Sequence, residues 1–314
     1  MSSSVNVYEK FILGSAQLGM EYGINNSIGR PTMDSAREII ACCALNKINH
    51  IDTARIYGDS EEVVGGIIAE DNYPLIKVMT KLNLHNDIIA GSTKKKLVKS
   101  VDKHIQSSVK ALQQSTLYAV LLHKAEYLTD NCGLIWSRIV ELKKEGLIKH
   151  LGVSVQSPSE LELALCYPEI EYIQLPYNIL DHRWEESIEL IRKVKLERKI
   201  NIHVRSVYLQ GLLLSDDKTH WLKANCLNYK LVISWLRFKT LELNRKSIAD
   251  LCLAYMRSLA WIDGLVIGVE SIEQLNENFD LFNRNQLSDM EVVYVESSRP
   301  KLLVKTLNPA EWSV

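Results

Sequence analysis

The sequence has almost no excess charge of either sign. Its 37 Lys and Arg stand against 38 Asp and Glu, a formal net charge of -1 over 314 residues, so its global electrostatics do not favour a polyanion such as nucleic acid. It also has no run approaching the roughly 18 uncharged apolar residues that a membrane-spanning helix needs. Cysteine is scarce and unpatterned: the six, at positions 42, 43, 132, 166, 226 and 252, contain no CxxC pair, which argues against a thiol redox motif or a cysteine metal site. The opening residues Met1 to Asn6 show no basic region with an apolar stretch behind it. A reduced, cytoplasmic protein is expected, with no membrane contact and no obligate protein partner. No linker or low-complexity segment divides the chain, and 46% hydrophobic residues suffice for a sizeable core. We expect one domain over 1–314.

Eight short β-rich runs are present instead. They fall at Phe11–Gly14, His50–Thr53, Ile76–Thr80, Tyr118–Leu122, Leu151–Ser154, Tyr172–Leu175, Ile202–Arg205 and Leu265–Gly268. Between them lie stretches with helical spacing, such as Asp34–Leu45, Leu97–Leu112, Cys132–Glu145, Ser159–Cys166 and Trp184–Glu197. Such alternation implies parallel strands joined by right-handed crossovers, either an open sheet or a closed α/β barrel. Eight units favour the (β/α)8 TIM barrel. An open dinucleotide-binding sheet should carry a GxGxxG turn after its first strand, and Gly14-Ser15-Ala16-Gln17-Leu18-Gly19 does not fit that spacing. The interval between runs seven and eight, from Leu213 to Ile262, leaves room for an insertion with an extra helix near Lys230–Leu243. It is expected to line or cover the mouth.

In such a barrel chemistry sits at the carboxyl ends of the strands. Asp52 lies within the second run with Tyr57 five residues on, Lys81 ends the third and His123 ends the fourth, so neighbouring strands deliver four polar groups to one rim. An ammonium beside a phenol stabilises its phenolate, a carboxylate supplies the counter-charge for the ammonium, and an imidazole can orient a carbonyl oxygen. Together these make an acid that polarises a carbonyl. Asp52 and Lys81 alone could be a buried structural ion pair, but Tyr57 and His123 at this spacing favour chemistry. His50 and Asp52 form an HxD sequence on one strand face without further ligands, so no metal is expected. His203 reads as a core histidine, Cys42 and Cys43 as packing residues, and the Lys94-Lys95-Lys96 run as a solvated helix face.

These residues carry a resemblance to the aldo-keto reductase family. Asp52, Tyr57, Lys81 and His123 match its catalytic tetrad. The likeness runs from about Phe11 to Asn278 through Gly14–Gly19, Tyr57-Gly58-Asp59-Ser60-Glu61, Gly152-Val153-Ser154, Gln174-Leu175-Pro176-Tyr177-Asn178 and Gln274-Leu275-Asn276-Glu277-Asn278. It implies a cofactor, NAD(H) or NADP(H), across the barrel mouth, hydride transfer between it and a carbonyl/alcohol substrate, and Tyr57 as proton donor. It further implies that Ser154 and Gln174 bond the nicotinamide carboxamide. Ser206, Leu209 and Gly211, within Ser206–Gly211, would run along the pyrophosphate, and Gln274 and Asn278 would also face the cofactor. A monomer is expected by the same likeness.

Several positions depart from the family pattern. Val155 replaces a common Asn carboxamide contact, and Arg205 replaces the aromatic residue that usually stacks on the nicotinamide; a guanidinium can stack on a ring or contact a phosphate. After the eighth run the chain reads Gly268-Val269-Glu270-Ser271, so a carboxylate stands where a cation often holds the 2′-phosphate of NADP(H). Glu270 would repel that phosphate and accept hydrogen bonds from the free ribose hydroxyls of NAD(H), a slight lean to NAD(H) unless Lys218 or Lys223 supplies the phosphate site. For the substrate, Tyr22, Glu21, Trp184 and the tail through Trp312 offer an aromatic and polar mouth suited to a sugar-like carbonyl compound, with Tyr22 as candidate substrate-binding residue. The alternatives are a nucleotide-sensing accessory protein with little turnover, for which Val155 and Arg205 speak, and an aldolase using Lys81 as a Schiff base, against which Asp52 and Tyr57 argue.

Overall fold

The computed structural model describes residues 7–24, 26, 29–84 and 93–312; the opening hexapeptide lies outside them. Eight parallel strands close into a barrel in chain order: β1 (Phe11–Gly14), β2 (His50–Asp52), β3 (Lys77–Leu82), β4 (Leu117–Leu122), β5 (Ile148–Ser154), β6 (Tyr172–Pro176), β7 (Asn201–Arg205) and β8 (Gly264–Gly268). The register runs Leu13↔Ile51, Lys81↔Leu121, Ser154↔Gln174 and Pro176↔Arg205, and Gly14↔Gly268 closes the ring.

The period-2 alternation of each strand sorts its side chains into two cores. Ile12, Met79, Ala119, Leu121 and Tyr172 fill the lumen, while Leu13, Ile51, Val78, Val120, Val153, Ile173 and Val204 face outward into the larger core under the helices. Two residues beyond Ile12, Met79, Leu121 and Tyr172 stand Gly14, Lys81, His123, just past β4, and Gln174, joined by Asp52, Ser154, Arg205 and Gly268 at the ends of their own strands. One parity rule thus gathers the polar residues at the carboxyl rim.

The helices begin at hydrogen-bonding caps: Thr32, Thr93, Ser157, Ser247 and Ser271 each accept a backbone N–H with the side chain, and Ser288 forms a reciprocal capping box with Glu291. Each is worth about 1 kcal/mol. Lys94, Lys95 and Lys96 open helix Lys94–Ala111 as exposed residues. The expected run Cys132–Glu145 is found as Asp130–Lys144 with Asn131, Cys132 and Gly133 in left-handed conformation.

Between β7 and β8 the insertion forms two helices, Lys218–Lys223 and Tyr229–Glu242, before the crossover helix Ile248–Ser258. Its contribution to the mouth is smaller than expected. Leu214 lines the cleft there, and Lys218 and Lys223 do not. Among the described residues no helix is long and apolar enough to cross a membrane.

Candidate active site

Asp52 and Lys81 sit on adjacent strands, 3% and 1% exposed. Lys81 Nζ donates to Asp52 Oδ2 at 2.6 Å and to the Thr53 carbonyl at 3.1 Å. Burial alone would lower the lysine's pKa, but the Asp52 carboxylate outweighs it and holds the ammonium above its ordinary value. The third proton of Lys81 faces Tyr57 Oη at 3.5 Å. The other Asp52 oxygen accepts from Gln174 Nε2 at 2.7 Å. The carboxylate is thereby fixed at both ends.

Tyr57 reaches this ammonium because the loop after β2 is anchored from below. Ser15 Oγ donates to the Asp52 carbonyl at 2.9 Å, Ser60 Oγ donates to the Ser15 carbonyl at 2.8 Å, and Thr53 Oγ1 lies 3.0 Å from Ser60 Oγ. Gly58 turns the chain at φ +60°, and a Cβ there would meet the Gly19 carbonyl oxygen at 2.1 Å. Only glycine suits that crossing of loops. Glu61, 1% exposed, accepts from Thr80 Oγ1 at 2.5 Å and from Arg55 Nη1 at 2.7 Å, tying the first turn of helix Ser60–Glu70 to the strand that carries Lys81. The residues Ser15, Ser60, Glu61 and Thr80 were not singled out from sequence. Ser60 and Glu61 stand in the quoted Tyr57–Glu61 motif, and polar residues opening a helix whose next positions, Val63 and Val64, are apolar carried the signal.

His123, one residue past β4, meets the Tyr57 ring edge-on with centroids 6.1 Å apart. Burial, and then the charges of Lys81, Arg205 and Lys124, push its pKa down to about 3. The imidazole is therefore neutral at physiological pH. Tyr22 Oη accepts from Gln210 Nε2 at 3.1 Å, and burial, then nearby Tyr57, raise its pKa, so it stays a phenol.

A cleft of about 360 Å³ leads from Asp52, Tyr57 and Tyr22 along the ends of β7 and β8 to helix Ile272–Phe282. It gathers Arg205, Ser206, Gly211, Glu270, Gln274 and Asn278. Leu209 is fully buried, packs into the core and does not line the cleft, so its expected place along the pyrophosphate is corrected: the apolar side chain draws the residue inward. Ser206, Leu209 and Gln210 have positive φ, an uncommon conformation for such residues and one concentrated at functional loops. Asn278 Oδ1 accepts from Tyr208 Oη at 2.9 Å, and its Nδ2 donates to the Gln274 carbonyl at 2.7 Å. Gln274 Oε1 accepts the Glu270 backbone N–H at 2.9 Å, and its Nε2 lies 3.3 Å from Glu270 Oε2. Burial raises the Glu270 pKa against this bond.

One further expectation is corrected. Trp184 is fully buried at the start of helix Glu185–Glu197 and takes no part in the mouth, because the apolar indole is worth more in the core than on the rim. Gln174 donates from Nε2 to Asp52, while its Oε1 is buried without a partner among the described residues. Ser154 is buried beside it in register. Val155 is also buried, its N–H bonded to the Gln174 carbonyl at 2.8 Å. His203 is a buried core histidine, with burial pressing its pKa to about 3. Among the described residues no group of three or more His, Cys, Asp or Glu is placed to hold a metal.

This closed (β/α)8 barrel is also the fold of the proteins the chain is similar to. The model of the aldo/keto reductase family matches residues 10–299, and the chain belongs to that family, whose fold and activity imply NAD(P)-dependent carbonyl oxidoreduction. The uncharacterized oxidoreductase YqkF of Bacillus subtilis (strain 168) is 25% identical over 300 residues, 91% of this chain and 90% of YqkF. Among solved structures, the aldo-keto reductase AKR11C1 from Bacillus halodurans, in its holo form, superposes with a TM-score of 0.73 at 23% identity, covering 94% of this chain and 93% of that one. The Pseudomonas aeruginosa protein PA4992 follows with a TM-score of 0.63, 18% identity, and coverage of 87% and 89%.

Proposed function

We propose that the protein is an NAD(P)(H)-dependent oxidoreductase that reduces an aldehyde or ketone to an alcohol, or runs the reverse, with Tyr57 as proton donor. The observation that carries this reading is the chain Gln174–Asp52–Lys81–Tyr57, with neutral His123 edge-on to the phenol at the head of the cleft. A bound reduced nicotinamide would supply the hydride. This chain's own groups do the rest. Tyr57 Oη and an imidazole N–H of His123 hold the carbonyl oxygen, and the phenol gives it a proton as charge develops there. Lys81, held cationic by Asp52, stabilises the phenolate left behind.

The site fits such a cofactor. Gln174, bonded to the cleft-lining Asp52, has in its Oε1 an acceptor with no partner among the described residues, as a carboxamide N–H₂ would require, and Ser154 stands beside it in register. Ser206 and Gly211 would form the cleft wall for the pyrophosphate, and Gln274 and Asn278 the far wall. Glu270 at that end favours the two ribose hydroxyls of NAD(H) over the 2′-phosphate of NADP(H), and neither Lys218 nor Lys223 lines the cleft to reverse this. Tyr22 at the mouth offers a face and a hydroxyl to a polyhydroxylated substrate. Lys81 is fully engaged by Asp52 and Thr53, which speaks against a Schiff base.

The test is titration of the protein with NADH and NADPH followed by intrinsic tryptophan fluorescence. Tighter binding of NADH is expected. Preference for NADPH would refute the Glu270 argument, and binding of neither would refute the oxidoreductase. Tight binding without turnover over a broad carbonyl panel would turn the reading to a nucleotide-sensing accessory protein.

A further inference from the structure

Among the described residues lining the cleft, Arg205 is a cation without an ion pair. Arg205 occupies the last inward position of β7 and lines the same cleft as Asp52 and Tyr57. It makes no ion pair among the described residues, and its Nη2 is buried without a hydrogen-bond partner. Of the carboxylates lining the cleft, Asp52 is bonded to Lys81 and Gln174, whereas Glu270, bonded to the neutral Gln274 amide, and Glu277 stand at the far end, by helix Ile272–Phe282. Since Asp52 and Lys81 cancel, and His123 and Tyr22 are neutral, the reacting end of the site carries a net positive charge located on Arg205. Its field extends to the tetrad, because it is among the charges that depress His123.

Resting on the proposed function, we infer that Arg205 makes this cleft prefer the reduced, uncharged nicotinamide over the oxidised, cationic ring, and so biases the site toward carbonyl reduction. The geometry follows from the reaction. A carbonyl oxygen bonded to Tyr57 fixes the carbonyl carbon, and the hydride donor must stand within roughly 3–3.5 Å of that carbon. A ring bound for that step would stand beside the tetrad, and Arg205, which lines the same cleft as Asp52 and Tyr57 and acts on His123, would be near enough for its charge to be felt there. Hydride transfer moves two electrons and one proton from ring carbon to carbonyl carbon, the phenol proton passes to the oxygen, and the ring is left with a positive charge. Two cations in a partly desolvated cleft repel far more than in water, which weakens binding of the oxidised form and promotes its release. An aromatic residue at this place has no such preference.

The test measures nucleotide binding rather than turnover. Affinities for NAD⁺, NADH, NADP⁺ and NADPH are determined by tryptophan fluorescence for the wild type, Arg205→Met, Arg205→Gln and Arg205→Lys. In the wild type the reduced form is expected to bind at least tenfold more tightly than the oxidised form of the same nucleotide. Either neutral variant should close that gap tenfold or more, mainly by binding the oxidised form better, while Arg205→Lys keeps it. An unchanged ratio in both neutral variants overturns the inference. Equal weakening of both redox forms also overturns it, since Arg205 would then hold a phosphate. Wild-type protein that binds no nucleotide fails the proposed function itself, a result separable from either variant outcome.

Discussion

Lys81 is the residue on which the site's geometry hinges, because it is cationic, fully buried and bonded to Asp52, Thr53 and Tyr57 at once. Replacing it by methionine leaves Asp52 as a buried carboxylate held only by Gln174. Removing one partner of a buried pair costs about 3–5 kcal/mol. We therefore predict that Lys81→Met lowers both turnover and stability, with a clearly lower denaturation midpoint in urea; an unchanged midpoint would show that the pair is not desolvated as described. Asp52, Tyr57, Lys81 and His123 were legible in sequence because each ends or follows an apolar run, and strand parity then fixes which way Asp52, Lys81 and His123 point. The double use of Gln174 was not legible. Nothing in its local sequence says that one amide end meets Asp52 122 positions away while the other stays free, since that depends on closure of the barrel. Trp184 misled for a related reason: an aromatic after a loop reads as a rim residue until packing shows it buried.

At the scale of elements, the loop from β2 into helix Ser60–Glu70 does most to place the chemistry. It crosses the turn Ala16–Gly19 so closely that Gly58 has its α-carbon against the Gly19 carbonyl, and its φ of +60° suits glycine. Gly58→Ala should therefore destabilise the fold by at least about 1–3 kcal/mol and lower activity by displacing Tyr57, with nucleotide binding less affected. Differential scanning calorimetry of the variant checks this, and a melting curve identical to wild type would mean that the two loops have room to part. The eight strands were readable from sequence to within a few residues, because buried parallel strands are short, β-branched and apolar. Helix ends were readable where a Ser or Thr cap preceded the run, as at Ser157. Helices such as Ser60–Glu70 were less visible, since Glu61 and Ser60 sit on the buried face and break the apolar stripe that marks a helix.

For the whole molecule, the barrel lumen carries a consequence for pH. At its amino-terminal end half-buried His50 and buried His203 stand beside Tyr118 and Tyr172. Burial first, then Lys77 for His50, and His50, Lys81 and Lys195 for His203, push their pKa values down to about 4 and about 3. In the unfolded chain both return to about 6.5. The unfolded state thus binds more protons below that pH, so stability is present in full above about pH 6.5 and is lost as the pH falls toward 4. The slope is up to about 1.4 kcal/mol per pH unit for each histidine. Urea midpoints measured between pH 7.5 and 5 should fall accordingly, and His203→Gln should flatten the profile; a flat wild-type profile would contradict neutral buried histidines. The central claim is that this barrel brings a reduced nicotinamide and a carbonyl together over the phenol of Tyr57. The most direct measurement compares wild type and Tyr57→Phe for nucleotide affinity and for carbonyl reduction on one substrate panel. The account predicts nucleotide binding within about twofold and turnover lower by roughly 10²–10⁴, whereas comparable turnover in the phenylalanine variant would contradict it.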